Sequence, residues 1–384
     1  MSHGGEAPFD LALVGGGLHN GLLALALRHR QPDLRLVVIE RGARAGGNHT
    51  WCLHAGDVPA EARPYVEPLI AHRWPGYSVH FPGFSRALDE PYALISSARF
   101  GAHLAATLGD ALWCGAEAVR VEAGAVQLAD GRRVTARRVI DARGPRAVPA
   151  DVAGFQKFVG LEVRLATPHG LERPILMDAT VPQHDGLRFF YVLPLDPTRL
   201  LIEDTRFADG ARLDEADLEA EVQAYAATQG WAITAIERRE SGALPMPWAA
   251  PTPAPREGAL LGGYAAGFFH PATGYSLPIA VRVAEALSRV PLDALPAAHA
   301  AQAALQAERQ RFAFALNRAL FRHCAPADRW RLMARFYRRP APVIRRFYAL
   351  RLTALDRLRL LAGLPPRGLR LRPLPRLISP VEVV

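Results

Sequence analysis

Lysine is nearly absent from this chain: of its 46 basic residues, all but Lys157 are arginine. Cysteine is scarce too. Cys52, Cys114 and Cys324 lie far apart, with no C-x-x-C or zinc-ligand spacing. That excludes a disulfide framework and a cysteine zinc site, and predicts free thiols in a reducing compartment. The opening residues, MSHGGEAPFD, lack the basic and apolar regions of a secretory signal, so the expected location is the cytoplasmic side. Clean apolar runs of membrane-spanning length are missing as well. The stretch 11–27 is interrupted by Gly15, Gly16, Gly17 and Gly21, and the stretch 258–281 by Gly262, Gly263, Gly267, Gly274, Pro271 and Pro278. Both predict glycine-rich loops between a strand and a helix, not a span. There is no internal repeat and no low-complexity tract.

What remains is a chain of 384 residues, 50% hydrophobic, long enough for a large core and two or three domains. Its net charge of +9 is unevenly placed. Residues 311–384 hold 17 arginines against Asp328, Asp356 and Glu382, so the rest of the chain is net acidic.

Residues 9–40 have the pattern strand, glycine turn, helix, strand. Residues 94–109 predict a helix, and 117–141 a small antiparallel meander turning at Asp130-Gly131. Antiparallel strands are expected over 155–207, with a hairpin joining 187–194 to 199–207 through Asp196, Pro197 and Thr198. An acidic helix follows over 213–228, then a proline-rich connection over 245–258 and a helix over 275–289. From about 296 the pattern is helical, broken at Pro326, Pro340, Pro342, Pro365 and Pro366.

The first motif with chemistry is Gly15-Gly16-Gly17-Leu18-His19-Asn20-Gly21, which follows a strand and opens a helix. Gly15 permits a tight turn, Gly17 admits a pyrophosphate to the backbone, and the helix N-terminus offers N–H groups and a positive dipole end. Glu40, ending the next strand, can accept from a ribose hydroxyl. Asn20 stands where the fingerprint has its third glycine, the one that serves helix–strand packing. Arg41 and Gly46-Gly47 follow, and a late glycine-rich loop, 262–274, leads into another helix. Two such loops, one early and one late, point to FAD rather than NAD. The fold expected is α/β: a Rossmann-type FAD-binding domain (1–60, 94–150 and 256–295), an antiparallel β-sheet substrate domain (61–93 and 151–255), and a helical, arginine-rich C-terminal region (296–384), as in flavoprotein monooxygenases.

Beyond these motifs the sequence resembles the bacterial lycopene beta-cyclases, flavoproteins of carotenoid synthesis. The resemblance runs through LVGGGLHNGL (13–22), ERGARAGGNHTW (40–51), MDATVPQHDGLRFFYVLPL (177–195), LLIEDT (200–205), ALPMP (243–247) and GGYAAGFFHPATGYSLPIAV (262–281). It implies an isomerase that closes the ends of lycopene, and other acyclic carotenoid ends, into beta rings without net redox change. It also implies FAD, active when reduced, with NAD(P)H as reductant. The cofactor residues would be Gly15, Gly17, Asn20, Glu40, Arg41, Gly47, Gly263, Pro271, Gly274 and Tyr275. Many flavoproteins carry Gly-Asp in the late loop; here the pair is Gly262-Gly263, so that ribityl contact must come from elsewhere. A flavin monooxygenase or reductase acting on an apolar isoprenoid accounts for the two loops equally well, but leaves LLIEDT without a task.

That segment carries two adjacent acids. In a strand, successive side chains alternate faces, so Leu201, Glu203 and Thr205 share one face and Ile202, Asp204 and Arg206 the other. Asp204 and Arg206 can pair structurally. From the residues alone, Glu203 is a solvent-facing strand acid or an acid on a cavity wall. The resemblance implies the second: Glu203 is the proton donor, kept neutral by apolar surroundings. Asp178 is a second candidate acid, or else a turn or cap residue. His270 could touch flavin or substrate, or be a satisfied loop histidine. Phe189 and Tyr191 on one strand face, with Phe268 and Phe269 in the late loop, could face a carbocation or pack a core.

In 327–339, Trp330, Met333, Phe336 and Tyr337 fall at helical spacing among arginines, and Ile344, Phe347, Leu352, Leu355 and Leu358 continue a stripe. Basic amphipathic helices suit an anionic bilayer, so the expected placement is peripheral to the inner membrane. The alternative is a helical cap packed on the protein. No nucleic-acid recognition motif is present, and no metal site is expected.

Overall fold

The computed structural model describes residues 9–144, 152–249 and 258–370. Most of the proline-rich connection, and the end of the arginine-rich region with Arg372, Arg376 and Glu382, lie outside the described residues.

The first sheet is built on β1 (Phe9–Val14), with β2 (Leu36–Ile39) on one side and β3 (Arg133–Asp141) on the other, both parallel to it. Their apolar runs, LALV and LVVI, are buried on both faces, as a parallel sheet requires. Leu112–Trp113 extends the sheet beyond β2; Ala125–Leu128 and Ala118–Val121 form the expected meander beyond β3. Helix α1 (Leu18–Arg30) connects β1 to β2 and is apolar nearly all round, since it lies between this sheet and other helices.

Within 94–109 a strand takes the first residues. Tyr92–Ser96 pairs with Thr50–His54 and His72–Trp74, and its YALI run is wholly buried. Cross-strand burial outweighs local helical preference there. Ser96 then caps α2 (Ser97–Leu108), its side chain accepting from the Arg99 amide at 3.2 Å.

The second sheet contains β4 (Ala153–Leu165), β5 (Ile175–Asp178), β6 (Leu187–Asp196), β7 (Arg199–Ala208) and β8 (Ile233–Pro247), in the order β8-β4-β7-β6-β5. Tyr77–Phe81 and Phe84–Leu88 complete it beyond β5. The β6–β7 hairpin turns where the sequence predicts. One face packs on α3 (Glu215–Thr228) through Phe190, Val192, Ile202, Leu218, Val222 and Tyr225. Asp204 and Arg206 are on this face. Asp204 is fully buried, 3.0 Å from Arg188 and 2.9 Å from Arg206. The same two arginines reach Glu221 and Asp217 of α3 at 2.9 and 3.1 Å.

Helices α4 (Leu277–Ser288) and α5 (Leu295–Arg318) follow the late loop. The C-terminal region adds α6 (Arg329–Tyr337), α7 (Ala341–Tyr348) and α8 (Ala354–Leu361). Pro342 does not break a helix; it sits in the first turn of α7, where no N–H is missed. The apolar stripe assigned to a membrane face is largely internal in α6 and α7. Phe336, Tyr337, Ile344 and Phe347 are buried in a cluster with Phe189, Leu193, Leu201 and Phe207 of the second sheet. Among the described residues, no helix is long and apolar enough to cross a membrane.

Candidate active site

The two sheets enclose one cavity of about 770 Å³, lined at one end by the glycine turns and at the other by β4, β6, β7 and β8. At the turn after β1, Gly15 has φ +95°, and a Cβ there would lie 2.9 Å from the carbonyl oxygen of Ala142. Only glycine fits that turn without strain. Gly17 is the N-cap of α1, and the space a Cβ would take is open. The free N–H groups of the first helical turn therefore face room for an anion. Glu40 lines the same end, its oxygens accepting from the amides of Gly16 and Gly42 at 2.7 Å each. Each oxygen keeps a further lone pair for a ribose hydroxyl.

Of the ten expected cofactor residues, Gly15, Gly17, Glu40, Arg41, Gly47, Gly263, Gly274 and Tyr275 all line the cavity. Asn20 and Pro271 do not. The Asn20 amide donates to the carbonyl of Val14 at 3.0 Å, tying α1 to β1 and so supporting the contact that the third glycine serves in the fingerprint. Pro271 is buried, and its carbonyl accepts from Asn317 at 2.8 Å. His19, which the motif treats as a spacer, also lines the cavity. It stacks on Phe268 with centroids 5.4 Å apart, and its Nε2 has no partner among the described residues. Burial lowers its pKa to about 4, so the ring is neutral. An open helix N-terminus, an acid at the end of β2, an orphaned imidazole nitrogen and a second glycine loop opposite together fit a dinucleotide.

At the other end, Tyr191, Glu203, Gly160 and Glu240 lie abreast on four adjacent strands. Tyr191, Glu203 and Glu240 face the cavity, as do Phe158, Phe189, Thr205 and Phe207. Glu203 is partly buried, and the surface it keeps faces this cavity. Gly160 separates the two acids without a side chain. A Cβ on it would meet Glu240 Cγ at 3.0 Å, so a larger residue would push the acids apart. Glu240 is held by Arg238 at 2.6 Å and by the hydroxyl of Thr50 at 3.0 Å. The Thr205 hydroxyl donates to Glu203 Oε1.

These contacts decide the state of Glu203. Burial raises its pKa first, and the charge of Glu240 adds to that; the Thr205 hydrogen bond and Arg238 oppose them, and the pKa rises from 4.5 to about 8. Glu203 is thus a neutral carboxylic acid at neutral pH, facing a largely apolar space. Tyr191 donates to the Cys52 thiol at 2.9 Å and meets the Tyr92 hydroxyl at 2.8 Å; Tyr92 in turn bonds Tyr275 of the late loop. A line of hydroxyls therefore runs from beside Glu203 to the second glycine loop. Glu240, Cys52 and Tyr92 were not singled out from the sequence as site residues, whereas alternation places Thr205 on the face of Glu203. Register alone puts Thr205 beside Glu203; Glu240 required knowing that β8 pairs with β4.

The structure does not bring Asp178 to Glu203. Asp178 accepts from the Thr180 amide and hydroxyl at 3.0 and 2.6 Å, and from Tyr225 of α3 at 2.8 Å. It is the turn-residue reading that this geometry matches. His270 is satisfied: Nδ1 accepts from the Ala272 amide at 3.1 Å and Nε2 donates to the Phe347 carbonyl at 2.9 Å. Of the two late-loop phenylalanines, Phe268 lines the cavity, whereas Phe269 stacks on Tyr264. Cys52 and Cys114 are free thiols.

Among solved structures, the fold is similar to a geranylgeranyl bacteriochlorophyll reductase-like protein from Thermoplasma acidophilum. The TM-score is 0.64 at 15% identity, over 93% of this chain and 96% of that one. It is also similar to Klebsiella pneumoniae HpxO complexed with FAD and uric acid, with a TM-score of 0.63 at 16% identity over 89% and 96%. The chain thus has the α/β architecture of the flavoprotein monooxygenases and reductases, as the two glycine loops predict. In sequence, it is 46% identical over 364 residues to the lycopene beta-cyclase of Pantoea ananas, covering 93% of this chain and 95% of that protein. The family described as lycopene cyclase protein matches residues 10–372. The chain belongs to the lycopene cyclase family.

Proposed function

We propose that this chain is a lycopene beta-cyclase and that Glu203 is its proton donor. The observation that carries the reading is a single cavity with a dinucleotide-shaped end and, at the other end, a carboxyl kept protonated by burial and by Glu240.

Lycopene is a hydrocarbon with no heteroatom to activate, so ring closure must begin by protonating carbon. Glu203 delivers its proton to C2 of the terminal alkene, leaving a cation at C1. The C5–C6 double bond attacks C1 and closes the six-membered ring; loss of the C6 proton gives the beta ring. One proton is gained and one lost, so the step is an isomerisation. After the transfer Glu203 is a carboxylate close to Glu240, and repulsion between the two favours its reprotonation. Phe158, Phe189 and Tyr191 line the same wall, and an aromatic ring beside the substrate stabilises developing positive charge where its face is turned to it.

Gly15, Gly17 and the N-terminus of α1 would hold the pyrophosphate of FAD, Glu40 and Arg41 its ribose end, and the late loop with Tyr275 its flavin end. Bound and reduced, FAD supplies an electron-rich ring system that stabilises a nearby cation. NAD(P)H serves as reductant and is not consumed stoichiometrically. The substrate dissolves in the bilayer, which supports placing the enzyme on the cytoplasmic face of the inner membrane, docked through its C-terminal region.

Anaerobic incubation with lycopene, FAD and NADPH in heavy water tests the reaction. The expected product carries one deuterium per ring and no other change in mass; added oxygen or hydrogen would instead identify a monooxygenase or reductase. Glu203→Gln should lose ring closure by at least about a hundredfold while flavin stays bound.

A further inference from the structure

A second cavity, of about 460 Å³, opens between α5 and the α7–α8 region. It is lined by Leu305, Arg309, Phe312, Arg351 and Arg357, with Glu308 as its one acid. None of these three arginines makes a side-chain hydrogen bond or ion pair among the described residues, and Arg357 Nε is buried without a partner. Arg357 lies over the Phe312 ring, 5.8 Å from its centroid. Nearby, Arg282 donates through Nη1 to the Ala349 carbonyl at 3.0 Å, while its buried Nη2 is unpartnered. Burial and the charges of Arg351 and Arg309 depress the Arg282 pKa to about 9, with Asp57 as the opposing acid. The cluster is therefore short of negative charge.

Helix α8, which carries Arg357, is inverted for a soluble protein. It buries its acid: Asp356 receives two bonds of 2.6 Å from Arg346 and caps its own helix with Thr353. It exposes its leucines. Leu355, Leu358 and Leu361 are 53%, 63% and 62% exposed, and Leu364 just beyond is 89% exposed. Leu305 on the cavity wall is exposed too. Such an apolar group on one segment beside unpaired arginines marks an interaction surface.

We propose that this cavity binds the phosphate of an anionic phospholipid headgroup while the leucines of α8 enter the bilayer beside it. Guanidinium groups suit phosphate oxygens bidentately. A free anion would satisfy the arginines but leave the leucines in water; a neutral bilayer would do the reverse. The proposal rests on the reading that the chain docks on a membrane, and it names where.

The test is co-sedimentation of the full chain with vesicles of phosphatidylcholine alone or mixed with phosphatidylglycerol. Wild type should prefer the anionic vesicles. Arg309→Gln, Arg351→Gln and Arg357→Gln together should remove that preference, at about fivefold per arginine, and leave binding to neutral vesicles unchanged. Leu358→Ser with Leu361→Ser should weaken binding to both. Unchanged far-ultraviolet circular dichroism controls for folding. Wild-type preference that survives the arginine substitutions overturns the headgroup site while leaving membrane docking intact. No binding of wild type to either vesicle overturns the docking reading itself. Equal stabilisation of wild type by millimolar inorganic phosphate, without the lipid preference, assigns the arginines to a free anion and also overturns the proposal.

Discussion

Glu203 has an ordinary pKa of 4.5 and a folded value of about 8. Between those values the unfolded chain has released this proton and the folded chain still holds it. The folded state therefore binds more protons, and its stability falls as pH rises through that window, by up to about 1.4 kcal/mol per pH unit. On the proposed mechanism the same titration removes the proton that Glu203 would donate, so ring closure should decline as pH rises through about 8. Denaturant melts across pH should show Glu203→Gln losing this slope. Glu240→Gln removes the largest of the charges that raise the pKa, the neighbouring Asp204 adding less, so the alkaline limb of activity should begin at lower pH. Unchanged profiles in both variants would contradict the assignment.

The strand that presents Glu203 divides its acids between two tasks. Asp204 belongs to the α3 side, where Arg188 and Arg206 hold it in full burial. Asp204→Ala would leave two buried guanidinium groups short of a partner, and a loss of about 3–5 kcal/mol is expected in equilibrium unfolding. Much of this was legible in the sequence. Strict alternation fixed the faces of Glu203 and Asp204, and strand, glycine turn and helix fixed the nucleotide end. What was not legible depended on which strands meet. Glu240 lies 37 positions from Glu203 and reaches it only because β4, with Gly160, comes between. Asp178 follows the apolar run of β5, and only the position of Tyr225 on α3 shows where its carboxyl goes. The aromatic stripe of α6 and α7 has amphipathic spacing whether it meets lipid or protein, so periodicity could not separate the two; the packing of Phe336, Tyr337, Ile344 and Phe347 into the core does.

Across the whole molecule, the function lies in the joining of two sheets. The first supplies a parallel-sheet nucleotide cradle, and the second supplies an antiparallel wall bearing one protonated acid. The C-terminal helices pack against that wall, helping to keep it dry, while α8 turns apolar side chains outward. The account depends on Glu203 holding its proton at neutral pH. Infrared difference spectroscopy of wild type against Glu203→Gln, titrated across pH, reports that proton through its carbonyl stretch. The account predicts a protonated-carboxyl band that persists at neutral pH and is replaced by carboxylate bands near pH 8. A carboxylate signal from Glu203 already present well below neutrality would contradict it.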